Sequence, residues 1–170
     1  MNKRERIKAV FLYGVFICYI LLLIKILFLS RISHLEHSSI NLTPFYSIME
    51  YISGRFANAF SNVVGNIVIF IPLGTYLSLF KNDKRVITNL LLIFIVSLFV
   101  EIIQGLLGIG ASDIDDIILN YLGGVIGILG YKFLLFILRD EKKVHTAITI
   151  LSAIGLPLIL YYLFMVRMRF

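Results

Sequence analysis

The residues that could carry chemistry in this chain are a few carboxylates and amides set among apolar side chains. Glu101 and Gln104 are three residues apart and therefore share one face of a helix, while Asp116 and Asn120 lie one helical turn apart. A carboxylate at membrane depth costs on the order of 3 kcal/mol, so by default it marks a functional group or a specific partner. In a catalytic site Glu101 would act as a general base and Asp116 as its acidic partner. These two are therefore the candidate catalytic residues.

A wider set of polar side chains predicts a pocket that opens outward and binds a ligand. The predicted ligand-binding residues are Arg55, Asn62, Asn66, Glu101, Gln104, Asp113, Asp116 and Asn120, with Lys25 as a further member of the pocket. For the amides, hydrogen bonding between helices is an equally good interpretation. For Asp113 and Asp115, capping of the following helix is the better interpretation, because carboxylates favour a helix amino terminus. We predict no metal site and no cofactor, since the three aspartates form one local run without a second motif.

The elements that must position these residues follow from the composition. The chain has 170 residues, of which 59% are hydrophobic and 15% charged, and its mean hydropathy is +0.95. Soluble proteins have roughly 45 to 50% apolar and about 25% charged residues, so we predict a membrane protein. A helix needs about 20 apolar residues to cross the hydrocarbon core. Five runs reach that length, at residues 9–29, 60–80, 86–107, 117–138 and 144–166. The predicted fold is an all-α, polytopic bundle of five transmembrane helices that forms a single domain over residues 1–170.

The placement of the cations predicts the orientation of this bundle. Lys and Arg number 16 against 10 Asp and Glu, and they gather in short clusters between the apolar runs. This distribution is typical of membrane topology, so no nucleic-acid partner is expected. If the amino terminus is cytoplasmic, most of the Lys and Arg residues also lie on the cytoplasmic side of the membrane. We therefore predict a multi-pass membrane protein with its amino terminus in the cytoplasm.

The long loop at residues 30–59 is then external and predicts a short amphipathic helix between the first two spans. Thr43 followed by Pro44 is a helix-start signal, with a capping hydroxyl and a proline at the first helical position. Phe45, Ile48 and Met49 begin an apolar face at helical spacing. A hydrophobic plug packed on the bundle is an equally good interpretation.

Glycines on the fourth predicted span indicate close helix packing. Gly123 and Gly127 form a G-x-x-x-G motif, which allows another helix to approach the backbone. This face is also the predicted surface for a homo-oligomer.

Four separate motifs, in order along the chain, resemble the VanZ family. They are Asn41-Leu42-Thr43-Pro44-Phe45, Asn66 before Ile69-Phe70-Ile71-Pro72-Leu73-Gly74, Glu101-Ile102-Ile103-Gln104, and Gly110-Ala111-Ser112-Asp113-Ile114-Asp115-Asp116 followed by Asn120 and Gly123-Gly124. The likeness covers residues 41–130. It implies a small bacterial membrane protein associated with low-level resistance to teicoplanin and related lipid-tailed glycopeptides, although the family name supplies no mechanism.

Three functions stay open from the sequence. The first is a non-enzymatic protein whose pocket binds membrane lipids, a lipid-linked cell-wall precursor or a lipid-tailed glycopeptide. The second is an integral-membrane enzyme acting on an outer-leaflet lipid or polyprenyl-phosphate head group, with Arg55 or Lys25 holding the phosphate. No nucleophile motif supports this enzyme. The third is a transporter, which five spans without an internal repeat make the weakest of the three.

Overall fold

The computed structural model describes residues 3–29, 40–41, 43–54, 59–80, 86–108 and 112–167. The helices are α1 (Lys3–Ile24), α2 (Tyr46–Ile52), α3 (Ala59–Phe80), α4 (Val86–Leu107), α5 (Ile114–Leu138) and α6 (Glu141–Arg167). Two strands of two residues each, β1 (Ile40–Asn41) and β2 (Ser112–Asp113), pair in parallel. The helical prediction is confirmed, and this short strand pair is an addition that the sequence patterns did not predict.

Four helical segments are long and apolar enough to cross a membrane. They are Arg6–Phe28, Val63–Phe80, Val86–Leu107 and Ile114–Leu138, and they match the first four predicted spans. Large apolar side chains on these helices are widely exposed, as expected where helices contact lipid. The helix α6 covers the fifth predicted span, whose crossing of the membrane stays a prediction.

The first span ends in a different helical form. Residues Lys25–Leu29 continue α1 as a π-helical segment. Such segments are rare and leave main-chain groups displaced from the regular α-helical ladder. Leu27 within it is only 3% exposed. A carbonyl group of this segment is therefore available for a bond to another element.

The chain divides into two compact units. One comprises Met1–Leu23 with Leu134–Phe170, and the other comprises Ile24–Phe133. In the first unit, the Lys8 ammonium donates a hydrogen bond of 3.2 Å to the Thr146 hydroxyl of α6. All the candidate site residues that the structure describes lie in the second unit.

Glycines of α5 pack directly on α3. A Cβ added at Gly123 would overlap the carbonyl oxygen of Ile67, and one added at Gly127 would overlap that of Ile71. The Thr75 hydroxyl also donates to the Gly127 carbonyl, at 3.2 Å. The G-x-x-x-G motif therefore packs against a helix of the same chain. Self-association through this face stays a prediction, and it would require α3 to leave the face.

The loop helix begins later than the sequence predicts. Thr43 and Pro44 lie in a turn, and α2 starts at Tyr46, preceded by Phe45 in the left-handed conformation with φ 65°. The Thr43 amide is held by the side-chain oxygen of Asn41, at 3.1 Å. Because Asn41 is fixed in the strand pair, this bond draws the following residues into the turn. The prediction that Thr43 caps the helix was therefore wrong.

Candidate functional site

Residues from all four family-like motifs lie in the second unit, where they form several groups of hydrogen bonds between elements. We call these residues together the polar cluster. Its members are Asn41, Asn66, Ser97, Glu101, Gln104, Asp113, Asp115, Asp116 and Asn120. The sequence analysis expected most of these side chains in one pocket. The contacts link Asn41, Glu101, Asp113 and Asp115 and leave the other members in separate pairs, so a common pocket and ligand binding stay predictions.

Asp113 connects three elements at the start of α5. Its Oδ1 accepts the Asp115 amide at 3.0 Å, which is the geometry of a helix cap, so the capping interpretation is confirmed for this residue. Its Oδ2 accepts from the side-chain amide of Asn41 at 3.4 Å. The backbone N–H of Asp113 in turn donates to Glu101 Oε2 at 3.1 Å. One residue therefore ties β1 and α4 to α5.

Asp115 caps a helix other than its own. Its carboxylate accepts the Phe45 amide at 2.5 Å through Oδ1 and the Ile48 amide at 3.4 Å through Oδ2. These amides belong to the first turn of α2, whose donors have no partner within the helix. Asp115 is fully buried in this position. The sequence favoured capping for Asp115, and the capped helix is α2 rather than α5.

Asp116 pairs with Asn66 across the interface of α5 and α3. The Asn66 side-chain amide donates to Asp116 Oδ1 at 2.5 Å. The two residues are 7% and 5% exposed, respectively. A hydrogen bond to a charged group contributes roughly 1.5 to 3 kcal/mol, so this pair is a strong link between the helices.

Asn120 extends the polar cluster along the interface of α5 and α4. Its side-chain amide donates to the Ser97 hydroxyl at 3.1 Å, and both residues are buried. Ser97 was not among the predicted site residues. Its position one helical turn before Glu101 is the signal that could have identified it.

Gln104 bonds to the π-helical segment. Its side-chain amide donates to the Leu27 carbonyl oxygen at 2.8 Å, and the residue is fully buried. Among the described residues, its Oε1 and the Oδ1 of Asn120 are buried oxygens without a hydrogen-bond partner. An unsatisfied buried polar atom costs about 1 to 3 kcal/mol, so each of these oxygens is a place where an added donor would stabilise the structure.

Three residues predicted to line the pocket are not part of the polar cluster or lie outside the described residues. Arg55 lies outside the described residues. Asn62 lies on α3, but its side chain is outside the description. Lys25 is an exposed residue of the π-helical segment. Their membership of a common site stays a prediction.

The two candidate catalytic carboxylates lie on facing, antiparallel helices. Ser97 contacts Asn120 and Glu101 contacts Asp113, so α4 and α5 run side by side over this stretch. Asp116 lies between these two levels. Both Glu101, at 4% exposed, and Asp116 are engaged with protein donors. In the described part of the chain, no three His, Cys, Asp or Glu residues form a group that could hold a metal ion.

Comparison with known proteins identifies the family to which this chain belongs. The model of the VanZ/LLP1 family matches residues 16–137. The chain belongs to the VanZ/LLP1 family. It is also similar to the Protein VanZ of Enterococcus faecium, with 31% identity over 128 residues that cover 73% of this chain and 71% of that protein. No solved structure matches the chain. The VanZ/LLP1 match contains the whole polar cluster and ends before α6 begins.

Proposed function

We propose that this VanZ-type membrane protein lowers the susceptibility of a bacterial cell to teicoplanin and related lipid-tailed glycopeptides, without catalysing a reaction. In this proposal the polar cluster binds a lipid or a lipid-tailed molecule at the outer side of the cytoplasmic membrane. The amino terminus lies in the cytoplasm, α6 is the fifth span and α2 is external. Candidate occupants are membrane lipids, a lipid-linked cell-wall precursor and the glycopeptide itself.

One observation carries the proposal: residues from four motifs spread over 80 positions, from Asn41 to Asn120, form hydrogen bonds within one compact unit of the chain, and most of them are buried. Packing alone does not require buried carboxylates, because apolar residues of similar volume stabilise a helix interface at lower cost. Burying the carboxyl groups of Glu101 and Asp116 in membrane helices is energetically unfavourable, so their burial is the feature that supports a functional role.

The unpaired oxygens of Gln104 and Asn120 indicate the chemistry of the ligand. Both atoms are acceptors, so a ligand that contributes hydroxyl or amide N–H donors would satisfy them. Sugar and peptide head groups carry such donors. A bare phosphate, which offers acceptors, would leave these two oxygens unsatisfied.

The test is drug susceptibility in a glycopeptide-susceptible bacterial host that expresses the chain. We expect wild-type protein to raise the minimal inhibitory concentration of teicoplanin and to leave that of a glycopeptide without a lipid tail unchanged. Glu101→Gln and Asp116→Asn should lose this effect at equal membrane abundance, measured by immunoblot. Gly130→Ala is the matched control, because a Cβ at Gly130 meets no atom within 4 Å.

Two results would overturn the proposal. If wild-type protein leaves teicoplanin susceptibility unchanged, the proposed phenotype is wrong for this chain. If both carboxylate variants protect as well as wild type, the polar cluster is not the site. Lipid profiling of the same strains separates binding from catalysis, because a lipid species that appears on expression and disappears in Glu101→Gln would identify an enzyme.

A further inference from the structure

The short helix α2 and the residue before it carry exposed apolar side chains. Met49 and Ile52 are three residues apart and therefore share one side of α2, and Phe45 directly precedes the helix. The exposed fractions of Phe45, Met49 and Ile52 are 54%, 69% and 76%. Glu50, on the opposite side, is half-buried. Ile48 is half-buried too, so the side of α2 that carries Met49 and Ile52 is its most exposed side.

The position of α2 relative to the membrane spans is fixed by Asp115. This residue is the second of α5, and the span Ile114–Leu138 begins one residue before it. Its carboxylate holds the Phe45 and Ile48 amides at the start of α2. The amino-terminal end of α2 therefore lies beside the first turn of the candidate span Ile114–Leu138.

The apolar surface of α4 reaches the same region. Near the end of α4, Ile102, Leu106 and Leu107 are 50%, 81% and 59% exposed. The bond between Glu101 and the Asp113 amide places this end of α4 beside the start of α5. An exposed apolar surface therefore lies beside the first turn of α5, where Asp115 holds α2.

We propose that α2 is an interfacial anchor, with Phe45, Met49 and Ile52 among the acyl chains of the bilayer and Asp115 as the positioning residue. The residues of α2, Tyr46–Ile52, include no Lys or Arg and one carboxylate. Insertion therefore depends on apolar burial and does not need anionic head groups. This inference is independent of the proposed function, because it requires only that the spans lie in a membrane.

Site-directed fluorescence quenching tests the anchor. In a Cys18→Ala background, which removes the chain's single cysteine, Met49→Cys, Ile52→Cys and the matched control Glu50→Cys are each labelled with an environment-sensitive fluorophore. The proteins are placed, one copy per nanodisc, in zwitterionic phosphatidylcholine. We expect spin-labelled acyl chains to quench the labels at 49 and 52 strongly, and dissolved iodide to quench them weakly. The label at 50 should show weaker lipid quenching, and added salt should change none of these values.

Two outcomes would overturn the anchor. Labels at 49 and 52 that iodide quenches fully, without quenching by the lipid probe, would place this face in water. Labels at 49 and 52 that neither quencher reaches would show that protein, and not lipid, covers this face.

A second pair of variants tests the role of Asp115. Asp115→Ala removes both acceptors, so the difference in lipid quenching between positions 49 and 50 should be lost. Asp115→Asn keeps one acceptor oxygen and should retain part of that difference. Size-exclusion chromatography identifies the folded fraction that is measured. An unchanged difference in folded Asp115→Ala would refute the positioning role, while the labels in the parent background still test the anchor itself.

Discussion

Exchanging the amide and the carboxylate of the Asn66 and Asp116 pair separates the structural role of this contact from a functional one. Asn66→Asp places a second carboxylate beside Asp116, whose Oδ1 lies 2.5 Å from the Asn66 amide nitrogen. Two like charges 4 Å apart repel by about 4 kcal/mol at an effective dielectric constant of 20. Asp116→Asn alone removes a charged acceptor, which contributes about 1.5 to 3 kcal/mol. The double variant restores one amide opposite one carboxylate and should recover most of the lost stability.

The free energies convert to measurable melting temperatures. For a chain of 150 to 250 residues, 1 kcal/mol shifts the melting temperature by roughly 2 to 4 °C. A loss of about 2 kcal/mol in Asp116→Asn therefore predicts a decrease of about 4 to 8 °C, with a larger decrease in Asn66→Asp. Because the chain has no tryptophan, the assay is heating of a fluorescent fusion followed by size-exclusion chromatography.

The outcome of the exchange is informative in either direction. If Asp116→Asn melts at the wild-type temperature, the bond contributes nothing and its assigned strength is refuted. If the double variant is no more stable than Asn66→Asp, the two side chains do not form the described pair. If the double variant recovers stability without recovering protection against teicoplanin, the carboxylate is needed at position 116 itself.

Two further predictions concern packing and the π-helical segment. Gly127→Ala should sharply reduce the yield of folded protein, because the added Cβ would overlap the Ile71 carbonyl. Gly130→Ala should give the wild-type yield, since a Cβ there meets no atom within 4 Å. Equal yields of the two variants would contradict the packing of α5 on α3. Gln104→Leu should lower the melting temperature, because leucine cannot donate to the Leu27 carbonyl. An unchanged melting temperature in the same heating assay would refute the contribution of that bond.

The parts of the fold that depend on local sequence could be predicted. Apolar runs of about 20 residues identify the four spans, because crossing the hydrocarbon core requires that length. The cap at Asp113 follows from the preference of carboxylates for a helix amino terminus. The spacing of Glu101 and Gln104 predicted one helical face, and both residues are buried.

The parts that depend on distant contacts could not be predicted. Nothing in the local sequence of Asp115 indicates that it caps a helix 70 residues earlier in the chain. The position of Ser97 one helical turn before Glu101 is a local signal, but the local sequence does not show that its partner is Asn120 on α5. The late start of α2 has the same origin, because the turn at Thr43 depends on an asparagine held in the pair of β1 with β2.

The strand pair between β1 and β2 has a consequence for biogenesis. Asn41 and its partner Asp113 are 72 residues apart, and both α3 and α4 lie between them. During synthesis, α3 and α4 are therefore made before the residues that clamp the first loop leave the ribosome. The Phe45 amide at the start of α2 likewise has no Asp115 carboxylate to bind until α5 is synthesised. The polar cluster can close only when the first turn of α5 arrives, so a chain that stops before this point has no assembled site.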